Sequence, residues 1–133
     1  MGIEIEMVLR VLLAAALGAA IGYQRERAAK PAGLRTHILI CLGAALFTVA
    51  SIYGFGPAGD PARVAAGVVV GVGFLGAGVI MHREGGIVEG LTTAATMWVV
   101  AGIGLAAGAG LYVASAAATA IILGILYLPH PIR

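Results

Sequence analysis

The sequence predicts an all-α polytopic integral membrane protein with five transmembrane helices packed through small residues, and three observations predict it. Of 133 residues, 61% are hydrophobic and only 11% are charged, whereas soluble domains carry roughly 25% charged residues. Not one Lys, Arg, Asp or Glu occurs from Leu91 to Ile132, a stretch that water would not dissolve. The remaining apolar runs have lengths near the roughly 17–20 residues that cross a bilayer as helix, and connectors rich in Gly, Pro and charge separate them. With 21 glycines, abundant alanine and few aromatics, the composition suits helices whose backbones touch in lipid.

The first span is expected from Met7 to Tyr23. Glu4 and Glu6 precede it and Arg25, Arg27 and Lys30 follow it, the reverse of a cleavable signal's polarity, so the helix is expected to be retained. Ala14, Gly18 and Gly22 recur every four residues, a small face for a neighbouring helix. Arg10, two turns in, is expected to snorkel outward along its own stem. After QRERAAKPAG the second span is expected from His37 to Tyr53. It holds the lone Cys41, which has no disulfide partner in the chain and reads as a small buried side chain.

GFGPAGDPA then ends the second helix and starts a third, expected from Val64 to Met81. Asp60 is a good N-cap and Pro61 suits a first turn. HREGGIVEG leads into a fourth span, Leu91 to Ala107, opened by Thr92, Thr93 and Thr96 and carrying Trp98, expected to be buried between helices. One helix from Leu91 onward would overrun the bilayer, so the chain is expected to break at Gly108–Gly110 and cross again from Leu111 to Leu128. In this last span Ala116, Ala120 and Gly124 repeat the small-residue spacing. Tyr23, Tyr53, Tyr112 and Tyr127 fall at span ends, where an apolar ring with a wet hydroxyl belongs.

Residues 71–78, GVGFLGAG, contain the G-x-G-x-x-G spacing of a dinucleotide loop. That motif carries meaning only between a strand and a helix, and here it lies in a hydrocarbon span. Gly67, Gly71, Gly73, Gly76 and Gly78 instead suit close helix packing, or alternatively a broken helix whose freed backbone lines a cavity.

Orientation follows the Lys and Arg count of short loops. Arg25, Arg27, Lys30 and Arg35 place the first connector in the cytoplasm, and alternation places Arg83 and Arg133 there too, with Arg63 outside: N-out, C-in. A net charge of +2 with no basic stripe gives no nucleic-acid surface.

The ionisable groups cluster at span ends. Arg25, Glu26, Arg27, Lys30, Arg35 and His37 bracket the first connector, where they can anchor the helix and touch lipid phosphate. Glu26 could pair among these cations, and Arg35, Thr36 and His37 at a helix start could bind an anion or a partner protein. Asp60 and Arg63 begin the third span, and simple capping accounts for them. Thr92, Thr93 and Thr96 open the fourth, where threonines bond their own helix or a neighbour. No carboxylate lies mid-membrane and Ser51 and Ser115 have no His beside them, so neither an acid-base dyad nor a nucleophilic triad is expected. The chain does not read as an enzyme and calls for no cofactor.

The stretches IGYQRERAAKPAGLRTHILICLGAALF, DPARVAAGVVVGVGFLGAGVIM and VEGLTTAATMWVVAGIGLAAGAG together resemble the membrane domain of the MgtC/SapB family. The resemblance covers roughly Gly18 to Gly110. Its signature falls on Gly22, Arg25, Glu26, Ala32, Gly33, Leu34, Arg35 and Thr36, on Asp60, Arg63, Gly71, Gly73, Phe74, Gly76, Ala77 and Gly78, and on Gly90, Leu91, Thr93, Ala94 and Ala95. It implies a multi-pass bacterial inner-membrane protein linked to magnesium limitation, acid tolerance and, in some pathogens, survival inside host cells. Gln24 stands where many members have Glu, and Gly67 where Gln is usual. The virulence branch continues into a soluble cytoplasmic domain, whereas this chain stops at PHPIR, so regulatory input through that domain is expected to be missing.

Two functions are open at this stage. One is a regulatory or interaction protein that dimerises through its glycine faces and binds another membrane protein, for which the resemblance suggests the F-type ATP synthase. The other is a homo-oligomeric transporter or channel for Mg²⁺ or protons, with Thr93, Thr96, Asp60 and the glycine segment lining the subunit interface. Mg²⁺ favours oxygen ligands. Its side-chain carboxylates would be Asp60, Glu26, Glu84 and Glu89, besides the acidic N-terminal segment.

Overall fold

A computed structural model describes residues 2–82, 86 and 88–128. The charge at Arg83 and Arg133 and the carboxylate of Glu84 lie outside the described residues.

Five helices follow one another: α1 (Ile3–Arg27), α2 (Leu34–Tyr53), α3 (Pro61–Ala77), α4 (Leu91–Gly108) and α5 (Tyr112–Leu126). Between α3 and α4 lies a small antiparallel ladder, β1 (Met81–His82) with β2 (Val88–Glu89), pairing Met81 with Glu89 and His82 with Val88. Three helices, α1, α2 and α4, are long and apolar enough to cross a membrane, while α3 and α5 are shorter apolar helices.

Glycine positions α1, α2 and α4. A Cβ on Gly18 would lie 2.7 Å from Cys41 Cβ and 2.8 Å from His37 O, and one on Gly22 would lie 2.9 Å from Leu34 Cα. From α4, Gly104 lies directly against Cys41 O, and a Cβ on Gly108 would come 2.7 Å from Ala45 O. These separations leave no room for a side chain. Alpha carbons therefore sit within contact of a neighbouring backbone, the arrangement expected where lipid offers no hydrophobic drive between helices. Ala14, Ile21, Cys41, Ala45, Val100, Ile103 and Ala107 fill the core of this trio. A second cluster, including Ala44, Val68, Val72, Met97 and Ala101, fastens α3 to it.

Several expectations change. The third span ends at Ala77 and not at Met81, because the Gly78 and Val79 N–H groups bond back to Phe74, Leu75 and Gly76 carbonyls in a closing turn and the chain then enters β1. Gly90, in a left-handed backbone with φ +91, sits directly against Val79 O. No Cβ fits there. Residues 71–77 stay helical, so the glycine run is not an unwound segment. The break at Gly108–Gly110 is present: the Leu111 N–H bonds Ala106 O, and Gly110 turns the chain at φ +87.

Only part of the glycine stripe packs within the chain. Gly76 abuts Ala94 of α4, with a Cβ position 3.3 Å from Ala94 Cβ, and Gly78 belongs to the closing turn. A Cβ on Gly67, Gly71 or Gly73 would meet nothing within 4 Å. On α5 the inward face carries Ser115 and Thr119, while Ala116, Ala120 and Gly124 are exposed. Trp98, expected inside, is 52% exposed, because Met97, Val100 and Ala101 occupy the buried face of α4.

Candidate functional site

Two polar clusters mark opposite ends of the bundle. At the end holding the α1–α2 connector, Arg25 is 3% exposed. One Nη2 hydrogen bond of 2.8 Å reaches Thr93 Oγ1 on α4, tying the end of α1 to the start of α4. His37, in the first turn of α2, is fully buried against Gly22. Gly22 and Arg25 are three residues apart on one helix face, so the imidazole and the guanidinium are neighbours. His37 Nδ1 lies 2.8 Å from Gly33 O. Arg25 Nε, His37 Nε2 and Gln24 Oε1 are buried without a hydrogen-bond partner.

Glu26 faces the connector. Its Oε1 accepts the Leu34 N–H at 2.9 Å, placing a carboxylate on the exposed N-terminal dipole of α2. Gly33 passes directly beneath this carboxylate, where a Cβ would collide with Oε1. The internal pairing expected of Glu26 is thus a cap, not an ion pair. Arg35 is exposed and Thr36 half-buried, so neither joins His37 in the interior. Of the α4 threonines, Thr93 faces Arg25, Thr96 donates to Thr92 O at 2.7 Å, and Thr92 is exposed.

The opposite end is closed by Arg10. Sequence reasoning gave it a route to solvent, yet it is 8% exposed. Nη1 donates to Gly108 O at 2.9 Å, Nε to Tyr112 OH at 3.1 Å, and Nη2 to Glu6 Oε2 at 2.6 Å. Tyr112 OH also donates to Glu6 Oε2 at 3.0 Å, and the guanidinium lies 5.4 Å from the Tyr53 ring centroid. This clasp joins α1, α2, α4 and α5 at the turn that splits the last two helices. The Glu6–Arg10 spacing of four was its one visible signal.

Asp60 caps α3, accepting the Ala62 N–H at 3.1 Å, with Pro61 following it. Asp60 and Arg63 start α3, whereas Thr93 packs by the end where α3 finishes. The structure therefore does not bring Asp60 together with Thr93 and Thr96. Among the described residues no three His, Cys, Asp or Glu side chains come close enough to share a metal ion.

Helices of this length and apolarity, bonded to each other through buried polar groups at the ends, define a helical membrane protein. The chain belongs to the MgtC family, whose profile matches residues 11–133. It is 51% identical over 114 residues to the Escherichia coli K12 protein named "Putative magnesium transporter YhiD", covering 80% of this chain and 53% of that protein. To "Protein MgtC" of Salmonella typhimurium LT2 it is 50% identical over 116 residues, covering 87% of this chain and 49% of the relative. A Haemophilus influenzae protein is 43% identical over 122 residues, covering 86% of this chain and 51% of its own length. The chain thus spans about half the length of the curated relatives it matches. No solved structure matches it.

Proposed function

We propose that this chain crosses the bacterial inner membrane five times, N-out and C-in, and acts as a regulatory protein of magnesium limitation or acid stress. It works by binding membrane proteins, a second copy of itself first, and performs no chemistry of its own. The observation that carries this reading is the open groove between α2 and α3. It encloses about 590 Å³, and its lining includes Leu39, Gly43, Phe47, Gly67, Gly71 and Leu75. Glycines that touch nothing within their own chain expose backbone that a second helix can approach closely. A homodimer covering this groove would give Gly67 and Gly71 the packing role their spacing suggests. Such a dimer could also present a surface to a larger membrane assembly, with the F-type ATP synthase as candidate. The short α3 and α5 cross by locally thinning the bilayer.

A transporter or channel for Mg²⁺ or protons is the second reading, favoured by the magnesium-related name of the Escherichia coli relative. Flux and association separate the two. Purified protein in sealed liposomes is expected to move Mg²⁺, K⁺ and H⁺ no faster than empty liposomes, while Gly71→Leu reduces crosslinked dimer at least fivefold. Cation flux lost on Asp60→Asn or Thr93→Val would establish transport in its place.

A further inference from the structure

Arg25 presents an electrostatic imbalance. A guanidinium cannot shed its proton in a protein, and a buried charge is strongly disfavoured unless it is paired or fully hydrogen-bonded. Yet among the described residues Arg25 has one neutral partner, Thr93 Oγ1, and its Nε is buried and unused. Among the described residues no carboxylate lies within ion-pair distance: Glu6 pairs with Arg10 at the far end, and Glu26 is held on the Leu34 N–H. Beside it His37 offers a second buried, unused ring nitrogen, Nε2. Arg27, Lys30 and Arg35 surround the connector with exposed positive charge. A buried guanidinium and a buried imidazole therefore lie under a cationic collar, and among the described residues no carboxylate forms an ion pair with either.

We propose that Arg25 and His37, between the end of α1 and the start of α2, form a binding site for a phosphate group, which gives Arg25 its missing counter-charge. A phosphate oxygen would take the Arg25 Nε–H, and a second oxygen the Nε2–H of a doubly protonated His37. Nδ1, 2.8 Å from Gly33 O, donates its proton to that carbonyl, so in the neutral ring Nε2 is an acceptor and phosphate binding there takes up a second proton. The same chemistry is offered by an anionic phospholipid headgroup and by free inorganic phosphate. A lipid headgroup has the more direct route, because the cluster lies at the charged end of the α1 span, where headgroups reside. The site rests on the membrane reading but is independent of the choice between regulator and transporter.

Thermal unfolding of the purified full chain tests it. In delipidated neutral detergent, dioleoylphosphatidylglycerol is added in one arm and inorganic phosphate in a second, with dioleoylphosphatidylcholine and sodium chloride as controls. A saturable rise of several degrees is expected with phosphatidylglycerol, with inorganic phosphate, or with both, and the responding arm identifies the source. Arg25→Gln should lose more than half of that rise, yet be no less stable than wild type before addition, since it removes an unpaired buried charge. Arg27→Gln, which alters only an exposed cation, should keep the rise.

Should Arg25→Gln fail to fold, His37→Gln and native mass spectrometry of wild-type protein read the same site. The variant should then retain fewer phosphatidylglycerol molecules than wild type. An equal response in wild type and in the foldable Arg25 or His37 variant, or no response to either phosphate source, overturns the proposal. A bilayer-independent response to inorganic phosphate would keep the site even if the five-span topology failed.

Discussion

At the scale of single residues, the polar groups that matter are those that hold helices together. Arg10 is the clearest case, because its donors reach Gly108 O and Tyr112 OH about a hundred residues away. Arg10→Met keeps an apolar stem of similar length and removes every donor. Gly108 O is then left buried with no side-chain donor, and an unsatisfied buried acceptor costs about 1–3 kcal/mol. The unfolding midpoint should fall accordingly, and Tyr112→Phe, which removes the bond accepted from Arg10 and the one donated to Glu6, should lower it by about 1–2 kcal/mol, at roughly 1 kcal/mol net per bond. Denaturation in one detergent checks both, and an Arg10→Met protein as stable as wild type would dismiss the clasp. Its sequence signal was incomplete. Glu6 and Arg10 are visibly one turn apart, but nothing local indicates that the turn after Gly108 folds back onto them.

At the scale of helices, glycines of the same type have different duties, and substitution separates them. Gly18 and Gly104 each face another helix's backbone with no space for a methyl group. Alanine there should push α1 or α4 away from α2, at about 1–3 kcal/mol as for other overpacked cores. Gly71 faces open space, so Gly71→Ala should leave the monomer unharmed or more stable by roughly 0.5–1 kcal/mol through helix propensity. Unfolding midpoints of the three alanine variants decide the matter, and equal losses at all three sites would refute the distinction. Spacing alone could not make it. A small residue every fourth position marks a face, but whether the partner is a neighbouring helix of the same chain or another molecule depends on tertiary contacts that periodicity does not encode. Trp98 shows the same limit: a mid-helix position fixes its depth along the helix and leaves its direction around the axis open.

At the scale of the molecule, element order was legible because charge and hydrocarbon exclude each other, so the connectors stand out wherever Arg, Glu, Asp or Pro gather. The helix ends were less legible, since backbone turns such as the one after Ala77 are set by hydrogen bonds and glycine conformation and not by hydropathy. The orientation we propose for the bundle, N-out and C-in, is a further consequence of the charges. Helices α1, α2, α3, α4 and α5 alternate in direction, with the Arg25–Thr93 link at one end and the Arg10–Tyr112 clasp at the other. Arg25, Arg27, Lys30 and Arg35 gather at the first end, and basic residues in short loops are retained in the cytoplasm. Arg10 and Arg63 are at the opposite end, and Arg10 is neutralised by Glu6, which leaves the imbalance intact. In a Cys41→Ala background, a membrane-impermeant maleimide added to spheroplasts should therefore label Ala58→Cys, in the exposed α2–α3 connector. Arg27→Cys, exposed at the other end, should react only after lysis. The reverse pattern would invert the bundle, and labelling of both sites from outside would remove α2 as a span.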